Sequence, residues 1–127
     1  MSVAADWDNE AQTTIYMAFV GKWNWDEFHM ATTQTSSMIR SAICTIDLIV
    51  DFSQSGPLPS NALSNFGSSL KLKNKNVGMV VGVTKAQFLQ TLSNIFRAVY
   101  PKVELYVVSS LEEAHALIAN RRNAPGA

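Results

Sequence analysis

The stretch ICTIDLIVDFSQSGPLPSNA, residues 43–62, decides how the chain folds. Its first half is a short, nearly continuous apolar run to Phe52, the pattern of a strand buried on both faces of a parallel sheet. Its second half carries Ser53, Ser55 and Ser60, stiffened by Pro57 and Pro59, and reads as a turn. Ser60 is placed to cap a following helix with Leu63, Phe66, Gly67 and Leu70 on one face. Strand, turn and helix in that order make half of a crossover unit. The other half is VGMVVGV, residues 77–83, a second buried strand whose Gly78 and Gly82 call for close approach by a neighbour.

Upstream, TTIYMAFV, residues 13–20, alternates with period two and reads as a strand, with SVAADW before it pairing as a hairpin around DNEA. A helix then starts at Asn24, with Glu27 three residues on as an Asn variant of the capping box and with Trp23 and Phe28 spaced as a hydrophobic staple. Its middle, ATTQTSS, is made of weak helix formers, so packing through Phe28 and Ile39 has to hold it. Downstream, Thr84 and Gln87 have capping-box spacing, with Val83 and Phe88 as staple. Phe88, Leu89, Leu92, Ile95, Phe96 and Val99 continue at helical spacing up to Pro101. KVELYVVS is the last strand. The last helix opens with a Ser110 and Glu113 box, faces the core with Leu111, Ala114, Leu117 and Ile118, and ends on Arg121 and Arg122.

The order is therefore ββαβαβαβα, an α/β chain with a mostly parallel mixed sheet and helices packed on it. Residues 1–122 read as one domain and 123–127 as a frayed tail.

Composition bounds the function. The chain has 127 residues, 47% hydrophobic and 16% charged, as expected of a soluble globular domain, and no apolar run approaches a membrane span. Early acids, Asp6, Asp8 and Glu10, leave no room for a signal peptide, so the expected location is cytoplasmic. Ten basic and ten acidic residues cancel, which argues against a nucleic-acid binder held by phosphate contacts. The placement is lopsided: residues 1–63 hold seven acids against Lys22 and Arg40, and residues 64–127 hold eight bases against three acids. Such asymmetry is compatible with head-to-tail association, and a homodimer stays open. The single cysteine, Cys44, reads as a buried, inert thiol.

Taken together, YMAFVGKWNWDEF, IDLIVDFSQSGPLPSNAL, NIFRAVYP and SSLEEAHALIANRR resemble the STAS/SpoIIAA-like family, which includes the bacterial anti-sigma-factor antagonists, and in particular its STAS/SEC14-like branch. The resemblance implies a SpoIIAA-like fold and a non-enzymatic module that binds a protein partner, often under phosphorylation control, without a metal or redox cofactor. The family's Asp-Ser-Ser-Gly regulatory run falls here on Pro59, Ser60, Asn61 and Ala62. Only Ser60 corresponds, which makes it the candidate phosphoacceptor.

Functional groups of an open parallel sheet gather beyond the carboxyl ends of its strands. That rule brings Lys22, Trp23, the segment from Ser53 to Ser60, Thr84, Lys85, Ser109 and Ser110 to one rim, expected to be mildly positive. Candidate binding residues are Ser53, Ser55, Ser60, Asn61, Thr84, Lys85 and Trp25, the last either covering a sheet edge or anchoring a partner. The helix after Ser60 has no acid in its first turn, so an anion or a phosphate on Ser60 is most favoured there. Other chemistry has weak support. Asp51, Ser53 and Ser55 with His29 or His115 lack a Gly-x-Ser-x-Gly elbow, GVTK lacks P-loop spacing, and no cluster has metal-ligand spacing. Lys71, Lys73 and Lys75 read as a solvated helix end. The alternative function is a SEC14-like carrier of a small apolar ligand, with Gly78 and Gly82 leaving room for a pocket lined by Met17, Met79 and Phe66.

Overall fold

A computed structural model describes residues 2–62, 64–66, 76–99 and 104–123, without the side chains of Phe88, Leu92, Phe96 and Val99. Expectations for Leu63, Gly67, Leu70, Lys71, Lys73, Lys75 and Pro101, and for the apolar face and staple that use those four side chains, lie outside the described residues. In chain order the elements are β1 (Val3–Trp7), β2 (Thr14–Gly21), α1 (Trp25–Ser41), β3 (Ile46–Ser55), β4 (Val77–Val83), α2 (Gln87–Val99), β5 (Glu104–Val108) and α3 (Leu111–Asn123). Ala62 and Ser64 to Phe66 are also helical, between β3 and β4. The sheet order is β1-β2-β3-β4-β5, antiparallel in the first pair and parallel thereafter.

The order explains the layers. Every crossover moves one strand in the same direction, so right-handed connections place α1, the helical residues Ala62 and Ser64 to Phe66, and α2 on one face. Phe28, Ala31 and Ile39 of α1, with Ala62, Phe66 and Leu89, pack there against Ile15, Met17, Phe19, Leu48 and Val80. The last helix, α3, follows no crossover and closes the other face, setting Ala114 and Ile118 on Ile49, Met79, Val81 and Val83. Adjacent residues of β2, β3 and β4 thus serve opposite cores, as the period of a strand requires.

The threonines of α1 settle their hydroxyls inside the helix. Thr32, Thr33 and Thr35 donate to the carbonyls of Phe28, His29 and Ala31, four residues back. At its start Asn24 accepts from the Glu27 N–H at 2.9 Å, but the Glu27 carboxylate receives the Ser2 N–H at 3.1 Å, so the box is only half reciprocal. The box at Ser110 forms its first half in the same way, Glu113 N–H to Ser110 Oγ at 3.1 Å.

Several sequence expectations change. Cys44 is exposed, because α1 runs to Ser41 and β3 begins only at Ile46, leaving Cys44 on the connecting bend. Ser53 to Ser55 belong to β3, so the turn proper begins at Gly56. Ahead of the helical residues Ala62 and Ser64 to Phe66, an α bond runs from Asn65 N–H to Asn61 O, which places Asn61, not Ser60, at the cap, with φ +68°. Asparagine tolerates that left-handed backbone better than serine. Thr84 Oγ1 accepts from Ala86 N–H at 3.0 Å, an early turn that delays α2 to Gln87 and replaces the expected box. Asn123 belongs to α3, one residue past the expected domain end, and 124–127 lie outside the described residues.

Both outer strands have an outward carbonyl occupied. Asp8 N–H to Thr14 O and Val20 N–H to Ser2 O turn the even-numbered residues of β1 toward β2, so Ala5 O points out, where Gln34 Nε2 of α1 reaches it at 3.1 Å. Thr84 N–H to Val108 O does the same for β5, and Arg97 Nε of α2 takes Leu105 O at 2.7 Å. Among the described residues no helix is long and apolar enough to cross a membrane.

Candidate functional site

Parallel register puts the ends of four strands in a row: Gly21 lies opposite Ser55, Asp51 opposite Val83, and Val83 opposite Val108. The segments that leave them, 22–24, 56–61, 84–86 and 109–110, therefore form one rim. All seven candidate residues lie in this row or just beside it.

A tight crossing holds the left half of the rim. Gly56 N–H donates to Gly21 O at 2.8 Å, and a Cβ on Gly56 would stand 3.0 Å from that oxygen. Gly21 has φ +62°, where a side chain is strained whatever the space around it. A bulge precedes the crossing. Ala18 faces Asp51 but Val20 faces Gln54, so β3 carries one extra residue. Ser55 is thereby turned to the aromatic side, where its Oγ accepts Trp23 Nε1–H at 2.8 Å and donates to Gly56 O at 2.8 Å.

Trp25 has a role that its sequence position did not reveal. Its ring packs edge-on against Trp23, Phe28 and Phe66, with centroids 5.0, 5.5 and 5.1 Å apart, and its indole N–H donates to Ser60 O. The start of α1 thus grips the end of the proline loop. Half-buried and hydrogen-bonded, Trp25 shapes the rim from below.

The candidates divide by exposure. Thr84 is buried, donating its N–H to Val108 O and accepting from Ala86, and Ser55 and Trp25 are committed to the contacts just described. Ser53, Ser60, Asn61 and Lys85 are exposed, and among the described residues their side chains make no hydrogen bond or ion pair. Ser60 sits between the grip of Trp25 on its carbonyl and the Asn61 cap, so its hydroxyl is displayed and not consumed by capping. The rim carries acids as well as bases: the first turns of α1 and α3, which start at the same strand ends as Lys22 and Lys85, hold Asp26, Glu27, Glu112 and Glu113. The first turn of α2 also lacks an acid, so the segment after Ser60 is not alone in that respect.

Beneath Ser53 lies a polar pair that sequence reasoning did not join. Asp51, 6% exposed, accepts the Tyr16 hydroxyl at one carboxylate oxygen and the Ser53 N–H at the other, the latter at 2.9 Å. Burial, first, then the hydrogen bond and the negative charge of Asp51, with a lesser effect of Asp8, push the Tyr16 phenol above its ordinary value. A matching pair ties the opposite end of β3: Asp47, 5% exposed, accepts Met79 N–H at 2.9 Å and Arg122 Nε at 2.8 Å, while Arg122 also reaches Thr13 O and Thr45 O. The signal was in the apolar run itself, since two aspartates at i and i+4 of a buried strand share a face and each needs a partner.

The remaining alternatives take definite positions. His29 Nε2 meets Asn65 Oδ1 at 2.9 Å and His115 Nε2 meets Asp8 Oδ2 at 2.9 Å, so neither is joined to Ser53 or Ser55. Among the described residues no three His, Cys, Asp or Glu side chains are grouped to hold a metal ion. The pocket expected for an apolar ligand cannot be lined as proposed: Met17 and Phe66 belong to one core and Met79 to the other, across the sheet. Nor does Gly78 leave room, because a Cβ there would stand 2.5 Å from Asp47 Oδ1 and 2.8 Å from Thr45 Cγ2. No protein-family model matches the chain, and no curated protein matches it.

Proposed function

We propose that the chain is a non-enzymatic, STAS-like interaction module that binds a protein partner through the strand-end rim, with Ser60 at the centre of the contact. The observation that carries this reading is the hydrogen bond from Trp25 to Ser60 O, which holds a proline-stiffened loop in one shape while the Ser60 hydroxyl faces outward. A preformed loop loses little entropy on docking, which is what a recognition surface needs. Ser53, Asn61 and Lys85 complete the contact, and phosphorylation of Ser60 would change its charge by about −2 directly before the Asn61 cap. This reading goes with a cytoplasmic location and needs no cofactor.

The test is capture from the native host by the wild-type chain and by Ser60→Asp and Ser53→Arg. A protein retained by wild type and lost from both variants supports the rim. Retention by both removes it. The carrier alternative has a separate readout, since native mass spectrometry of the purified chain would then show a co-purifying lipid or metabolite.

A further inference from the structure

Helix α3 is attached to the sheet in a different way from α1 and α2. α1 joins β2 to β3 and α2 joins β4 to β5, and each of those pairs is hydrogen-bonded, so neither helix can leave without loosening the strands on both sides of it. α3 joins no two strands of this sheet. Its apolar hold is also slight. Ala114 and Ile118 are buried, Leu111 and Leu117 are partly covered, and every other residue of the helix is exposed.

Polar ties supply the rest of the attachment. Arg121 pairs with Glu104 on one flank and His115 meets Asp8 on the other. At the end of the helix Arg122 reaches three places at once, Nε to Asp47 Oδ2 at 2.8 Å and Nη2 to Thr13 O and Thr45 O at 2.9 Å each, so it clasps the segments that enter β2 and β3. These ties lie at or near the surface, Arg121 and Glu104 being 47% and 39% exposed, so water takes over their hydrogen bonds when they part. Asp47 keeps its place in the sheet without the clasp, because its other oxygen is bonded to Met79 N–H. The start of α3 is self-contained as well: Glu113 N–H donates to Ser110 Oγ and Ser109 Oγ donates to the Glu113 carboxylate.

We propose that α3 is a strap that undocks from the sheet as one unit, with Arg122 as its clasp, while the strands and the α1 side stay folded. Undocking bares Ile49, Met79, Val81 and Val83, an apolar strip that the closed strap covers. The opening is local and requires less free energy than global unfolding. It stands whether or not the rim binds a partner.

Native-state hydrogen exchange of the full chain tests it. The amides from Ala114 to Ile118 are expected to open at least about tenfold more often than those of Ile49 and Val81, the signature of a sub-global unit. Arg122→Gln removes the clasp and should speed exchange in α3 several-fold, and in the strands by the same factor, since the clasp is broken in global unfolding too. Ile39→Val trims a fully buried side chain on the α1 side, which stays packed while the strap is open. It should speed the strands several-fold and leave α3 unchanged. Equal protection of α3 and the strands, an α3 accelerated by Ile39→Val as much as the strands are, or an α3 indifferent to Arg122→Gln would overturn the proposal.

Discussion

On the α1 side of the sheet, Phe19 is fully buried and stacks on Phe52 at 4.4 Å, with Trp23 at 4.7 Å and Phe28 at 5.9 Å. On the α3 side, β3 carries Asp47 and Asp51, each tied to a particular backbone N–H and a particular side chain. The first arrangement is apolar and forgiving of direction, and its strength lies in volume and contact. The second is directional. A carboxylate that must meet Met79 N–H admits only one alignment of β3 with β4, and it does so beside the register shift between Ile46 and Leu48. One face supplies most of the cohesion, and the other specifies the register.

The sharpest way to break this contrast is Phe19→Ala, expected to cost about 3–5 kcal/mol in urea unfolding, since the rings around the void cannot all collapse into it. A loss below about 1.5 kcal/mol, the size of an Ile to Val change, would mean that the aromatic side does not dominate.

Next in size is Asp47→Ala, expected to cost about 2–3 kcal/mol by stranding Met79 N–H and part of Arg122. Gly78→Ala alone should cost about 1–3 kcal/mol, because its Cβ displaces that carboxylate. In the Asp47→Ala background the same change should cost at least about 1 kcal/mol less, a coupling that a double-mutant cycle measures. Additive losses would show that Gly78 serves something other than the aspartate.

The smallest effect belongs to Tyr16→Phe, about 1 kcal/mol at neutral pH, and its signature is in the pH dependence. The folded chain holds the Tyr16 proton more tightly than the unfolded chain, whose phenol titrates near 10.0. The contribution is therefore complete below pH 10 and declines as the pH rises from there toward the higher native value. Stability of Tyr16→Phe should fall less steeply above pH 10 than that of wild type. Equal alkaline slopes would detach Tyr16 from the polar side.

The order of elements was legible because each strand and helix carries its own period, and the continuous apolar runs of β3 and β4 admit little besides parallel, doubly covered strands. The start of α1 was legible because Asn24, Glu27, Trp23 and Phe28 agree. Ser60 was misplaced because Ser60 and Asn61 are both good caps, and the decision fell to a tertiary contact, Trp25 on Ser60 O, that no local pattern encodes. Thr84 and Gln87 have box spacing, but Thr84 N–H is already paired with β5 and its hydroxyl turns back early. Cys44 was drawn into the strand by its apolar neighbours, although the length of α1 leaves it on the bend. The rim could be located from topology alone, whereas which of its side chains are displayed and which are spent depends on partners 30 or more residues away, as for Trp23 with Ser55 and Trp25 with Ser60.

The blocked carbonyls of the outer strands have a further consequence. An incoming extended peptide, whether from a misfolded neighbour or a would-be β-augmenting ligand, would first have to expel the Gln34 amide at Ala5 or the Arg97 guanidinium at Leu105. The sheet is thus a poor template for fibrous growth, and contacts with other molecules are steered away from backbone addition toward loops and helix ends.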